Sequence, residues 1–77
     1  MMRIRIFSKD SAGEIILPGD LVCYNRSGDV CLGRVQRVRP VITGRYEYHT
    51  KHNITIDNLD DGTLSTVRNP SGIRIIG

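Results

Sequence analysis

The stretch RVRPVITGRYEYHT, residues 37–50, gathers groups that could hold a ligand. Arg37, Arg39 and Arg45 surround Pro40, Val41, Ile42 and Gly44, Tyr46 and Tyr48 follow, and Arg34 and Lys51 flank the run. Cations on a hairpin arm neutralise phosphates, and an apolar wedge between them inserts between base steps. Pro40 stiffens a turn there, and Gly44 lets the chain return. Val41 and Ile42 have a second reading, as a lid folded over the open end of a small barrel. Tyr46 and Tyr48 can stack on unpaired bases. They can also supply bulk to a core that has one Phe and no Trp. The parity of Tyr48 matches Ile54 and Ile56 and assigns it to the core, whereas Tyr46 stays open between the two roles. The candidate binding set is therefore Arg34, Arg37, Arg39, Val41, Ile42, Arg45, Tyr46 and Lys51, and no cofactor is called for.

Other chemistries find less material. Asp60 and Asp61 stand before Gly62, where adjacent acids are what a solvated turn requires. Cys23 and Cys31 in CYNRSGDVC are symmetric about Ser27, so a three-residue loop Arg26-Ser27-Gly28 would set them opposite each other across two strands. In the cytosol such thiols stay reduced and pack as small hydrophobes. Cys-x7-Cys without further thiols is a poor zinc pattern, since His49 and His52 would have to come from another strand. Neither thiol has a local signature for a base-activated nucleophile. The expectation is a chain that is not an enzyme and holds no metal, with His52 a partly buried residue at a barrel edge.

The elements that position these residues are strands. Seventy-seven residues make one small domain with a marginal core. Turn signals recur as DSAGE, PGD, RSGD, RPVITG, DDG and NPSG, and Gly or Pro interrupts every window that could carry helical periodicity. Strands are expected at about 2–7, 14–17, 20–25, 30–39, 45–58, 63–68 and 73–76. In RYEYHTKHNITID the even positions form an apolar and aromatic face and the odd positions a charged one. Val35 and Val38, three apart in GRVQRV, cannot share a face of a flat strand, which asks for a bulge or sharp coil, and Gly33 offers one. Leu64 and Val67 have opposite parity and leave the last hairpin without a register. The net charge of +3 permits contact with phosphate, though eight acids interrupt eleven Lys and Arg. No apolar run approaches the ~18 residues of a spanning helix and no secretory signal opens the chain, so no membrane contact and a cytoplasmic location are expected.

PGDLV opening a strand, GRVQRV bending in the next, DDG at a distal hairpin and NPSGIRII closing resemble the SH3-like small barrels, including KOW- and Tudor-type modules, over residues 18–77. The resemblance implies an all-β, single SH3-like barrel domain over residues 1–77, of about five to seven short strands with a long basic hairpin. SKDSAGEIILPGDLV is similar to phage and prophage YopX-like proteins, which implies a phage or mobile-element origin and brings no chemistry. The Gly19-Asp20-x-Val22 opening is also similar to the type II dihydrofolate reductases, but their Val-Gln-Ile-Tyr signature is replaced by TLSTVRN, so no activity carries over. RPVITGR looks like the arm tips of the HU and IHF architectural proteins, a shared physical device. The expected function is binding of nucleic acid, DNA or RNA, or of a nucleic-acid-processing complex. The alternative is a protein-interaction module or inhibitor that docks the hairpin tip or a sheet edge into a protein.

Overall fold

A computed structural model of the chain describes residues 7–42 and 50–77, and for Val41, Ile42 and Thr50 the backbone alone. The architecture is all-β: five antiparallel strands form one sheet in the order β4-β3-β2-β1-β5. They are β1 (Leu21–Arg26), β2 (Asp29–Ile42), β3 (Thr50–Asn58), β4 (Leu64–Val67) and β5 (Ile73–Ile75), with a 3₁₀ turn at Pro70–Gly72 before β5. That turn is the only helical element among the described residues, as the broken helical windows predict. The expected strand 14–17 is reduced to one bridge, Lys9 to Ile15. The expected strand 2–7 lies outside the described residues except for Phe7.

The β1–β2 connection corrects the expected loop. Arg26 pairs with Asp29 across a two-residue turn whose residues Ser27 and Gly28 both take positive φ, 52° and 87°. Two left-handed residues give a turn whose twist matches the strands it joins. The shorter loop moves the register by one, which exchanges faces. Cys23 therefore lies opposite Leu32, and Cys31 opposite Tyr24. The thiols, expected as opposed neighbours, stand on opposite faces of the sheet: Cys31 packs on the core and Cys23 on the outside, both free.

The bend in β2 is real, but its place is Gln36. The β2–β3 ladder runs from Gly33↔Asn58 to Val35↔Ile56, skips one residue, and resumes at Arg37↔Thr55. The extra residue restores Val38 to the inner face beside Val35, which is how two valines three apart both reach the core. Gly33 serves another need. A Cβ there would collide with Ile56 and stand 2.9 Å from both the Asp57 carbonyl oxygen and the Tyr24 ring, so only a bare backbone lets β1, β2 and β3 cross so closely.

Among the described residues the core is Ile16, Val22, Tyr24, Val35, Ile54, Ile56 and Ile73. Ile54 and Ile56 are fully buried, as the alternation of β3 predicts, each worth about 1.5–3 kcal/mol of burial. The open register of the last hairpin resolves in the same terms: Val67 pairs with Ile54 and turns inward, while Leu64 pairs with Asp57 on the outer face.

Two buried polar side chains tie the ends of the fold together. Asn58 donates from Nδ2 to the Tyr24 hydroxyl at 3.0 Å and accepts at Oδ1 from the Asp60 and Asp61 amides, closing the turn that follows β3. Asp10 accepts at Oδ1 from the Ala12 and Glu14 amides and at Oδ2 from the Ile75 amide, clasping the N-terminal segment to β5. The Asp10 carboxyl is held below its ordinary value chiefly by the Ile75 N–H. Burial pushes the other way, and the Glu14 and Ala12 amides and the charge of Arg74 assist the lowering.

Two predictions follow from this packing. Gly33→Ala should destabilise the fold by about 1–3 kcal/mol in a urea titration, because neighbouring backbone cannot yield to a methyl; unchanged stability would contradict the close crossing. For Asp10, a carboxyl whose folded pKa is depressed stabilises above its unfolded value and loses that contribution as pH falls through the folded one. Stability should therefore decline as pH drops below 3.8. Asp10→Asn should cost about 1–3 kcal/mol at pH 7, and the gap to the native chain should narrow in acid. A gap of constant size down to pH 2 would rule the clasp out.

Candidate nucleic-acid interface

The bulge at Gln36 decides which side chains the hairpin presents. Beyond it, Val38 and Pro40 fall on the inner face with their partners Ile54 and His52, while Arg37 and Arg39 fall on the outer face with Thr55 and Asn53, and Lys51 continues that face along β3. Arg34 joins the outer face from before the bulge, opposite Asp57. Arg34, Arg37, Arg39 and Lys51 are all exposed. Of the candidate set, the structure thus brings these four cations onto one face of one strand pair.

The strand itself runs further than expected. The turn anticipated at RPVITG begins later, because β2 continues through Pro40, Val41 and Ile42, the last paired with Thr50. Proline is tolerated in a strand where its missing N–H faces no partner, and β2 beyond Val35 has no neighbour on its β1 side among the described residues. Arg45 and Tyr46 lie outside the described residues, as do Tyr48, His49 and the side chains of Val41 and Ile42, so the choice between tip and lid falls there too.

The cations differ in their surroundings. Arg34 donates from Nη1 to the Gly19 carbonyl oxygen at 2.8 Å. Its cross-strand partner Asp57 accepts from Gln36 Nε2 at 3.3 Å. Arg37 and Arg39 face the neutral side chains Thr55 and Asn53, and among the described residues no carboxylate pairs with either. Three acids stand at the other end of the sheet, Asp29 opening β2 and Asp60 and Asp61 in the β3–β4 turn. There Asp61 bonds Arg26 at 2.8 Å, and that contact, with Thr63 assisting, holds its carboxyl well below the usual range while raising Arg26. Asp60 and Asp61 build a turn, as expected.

Sequence reasoning missed two features. Asn53 and Thr55 share the outer face with the arginines, a juxtaposition hidden until the bulge aligns odd positions of β3 with Arg37 and Arg39. His52, half-buried as anticipated, contacts the Ser8 hydroxyl through Nδ1 at 2.7 Å across 44 residues of sequence. A serine and histidine in contact are the start of a nucleophilic pair. Ser8, however, is only 1 % exposed, so the contact latches the N-terminal segment to β3. The two cysteines, on opposite faces, cannot close one tetrahedral metal site together. Comparison of the chain with models of protein families, with curated proteins and with solved structures found no match.

Proposed function

We propose that this chain is a non-enzymatic, SH3-like small barrel that binds nucleic acid, or a nucleic-acid-bearing complex, through the outer face of the β2–β3 hairpin. The strand order supports the fold part of this reading: a four-strand meander, a 3₁₀ turn, and a short last strand that returns to β1. The functional part rests on one observation, the run of Arg37, Arg39 and Lys51 on one exposed face with neutral cross-strand partners at both arginines. Arginines that pair with no carboxylate among the described residues keep their donor forks available for phosphate.

A second reading, a protein-interaction module, draws on the opposite end of the same face. There Val30 is 75 % and Leu64 65 % exposed, and Leu32 and Leu59 lie close by. Salt separates the two readings, since released counterions govern phosphate binding and leave an apolar contact almost untouched. In a fluorescence anisotropy series with labelled duplex and single-stranded probes, affinity should fall by roughly 0.9 log unit per log salt for each phosphate neutralised. Arg37→Ala and Arg39→Ala should each flatten that slope by about one unit and leave the thermal midpoint where it was, because neither side chain is packed. Binding that ignores salt, or a slope untouched by both variants, would transfer the face to a protein partner.

A further inference from the structure

We infer that the outer face of the β2–β3 hairpin reads base edges in the major groove of duplex DNA. The inference rests on the nucleic-acid reading above and narrows it to one ligand. Two adjacent cross-strand rows carry it, Arg37 opposite Thr55 and Arg39 opposite Asn53. Opposed residues hold their Cβ atoms about 5 Å apart, and successive same-face positions along a strand are about 7 Å apart. Four polar side chains therefore share a block small enough to face two or three neighbouring base pairs.

Their chemistry is the kind that base edges require. An arginine fork donates to guanine O6 and N7, an asparagine amide donates to adenine N7 and accepts from adenine N6, and threonine offers a hydroxyl and a methyl group. A clamp that holds phosphate alone needs cations only. Here the position opposite each arginine, where an exposed ladder gains from an acid, is taken by a neutral group able to discriminate. Asn53 and Thr55 are half-buried, so the sheet backs them, whereas the arginines project. Lys51 lies one row beyond, where a phosphate bounds a groove, and Arg34 lies behind, opposite Asp57 and bonded to the Gly19 carbonyl oxygen.

The shape of the element points to the groove. Past Ile54↔Val67 on one side and Val35 on the other, β2 and β3 have only each other as ladder neighbours among the described residues. The Arg39–Asn53 row thus stands on a two-stranded ribbon, while Thr55 of the Arg37 row still pairs with Thr66 at the edge of the sheet. The major groove of B-form DNA, about 12 Å wide, admits a two-stranded ribbon, whereas the minor groove, about 6 Å wide, does not without distortion. The major groove of A-form RNA is too deep and narrow for side chains to read.

The test begins with the unaltered chain and a pool of randomised duplex DNA carried through rounds of selection. Anisotropy then compares the recovered duplex, a scrambled duplex, an RNA duplex of the recovered sequence and its single strand. A short enriched motif containing G and A is expected, with the recovered duplex bound at least tenfold more tightly than the RNA duplex. Arg39→Lys, which keeps the charge and loses the fork, should shrink the ratio of scrambled to selected Kd by roughly ten- to a hundredfold, and Asn53→Ala should do the same at a different base. Equal binding of every duplex with no enriched motif would overturn this inference and leave the phosphate reading standing. A preference for RNA or for single strands would also overturn it. Absence of salt-dependent binding to any of the four probes would remove both.

Discussion

One surplus residue governs the rest of the structure. Strand β2 must pair with β1 from Asp29 to Arg34 and with β3 from Gly33 to Ile42, while keeping a single apolar face toward the core. A strand of strict alternation that buried Val35 would expose Val38 and turn Arg37 and Arg39 inward, where unpaired cations are costly. The bulge at Gln36 reverses the parity at the point where the β1 ladder has ended. Val38 goes in, both arginines go out, and the added twist starts β2 on its course beyond the sheet body. The core and the cationic face are two consequences of the same local event.

Around that bend the fold is closed by polar groups as much as by apolar ones. A core of seven side chains among the described residues is small, and the segments at either end must be held by something other than bulk. Asn58 joins the β3–β4 turn to Tyr24 of β1, and Asp10 joins the N-terminal segment to β5 across 65 residues. Each is nearly excluded from water, with several hydrogen bonds to protein partners. Such groups stabilise only while their set of partners is complete. Asp10 also occupies the Ile75 N–H, an edge donor of β5 that would otherwise be open to pairing with another strand.

These facts mark where sequence reasoning reaches and where it stops. The all-β class, the inward parity of Ile54 and Ile56 and the turn role of Asp60 and Asp61 follow from local chemistry, and the structure has all three. Register at the first hairpin did not follow, because it turns on whether Ser27 accepts a φ of 52°, and a serine beside a glycine permits either loop length. The mismatch between Val35 and Val38 announced a bulge but could not place it. Glycine was the obvious site until three strands were seen to need Gly33 as a bare crossing. Asp10, Asn58 and the Ser8–His52 contact were invisible, since their partners lie 34 to 65 residues away and no periodicity links them. On the candidate face, the arginines were legible as a charge cluster, while the alignment of Asn53 and Thr55 with them needed the bulge.

A net charge of +3 makes the chain look weakly suited to a polyanion, but the average conceals the arrangement. Asp29 and Arg39 stand at opposite ends of one strand, roughly 30 Å apart by the rise of an extended chain. Asp60 and Asp61 lie beside the acidic end, near Arg26. At physiological salt, exposed charges are screened beyond about 8 Å, so those acids do not cancel the field around Arg37, Arg39 and Lys51. Nearer by, Asp57 shares the outer face one row from Arg37, where the Gln36 amide donates to it, so the described cations gather beyond it at Arg37, Arg39 and Lys51. Under the proposed reading, segregation of charge along β2 does for this small domain what a larger net charge does for others: it gives a polyanion one end to bind and one end to avoid.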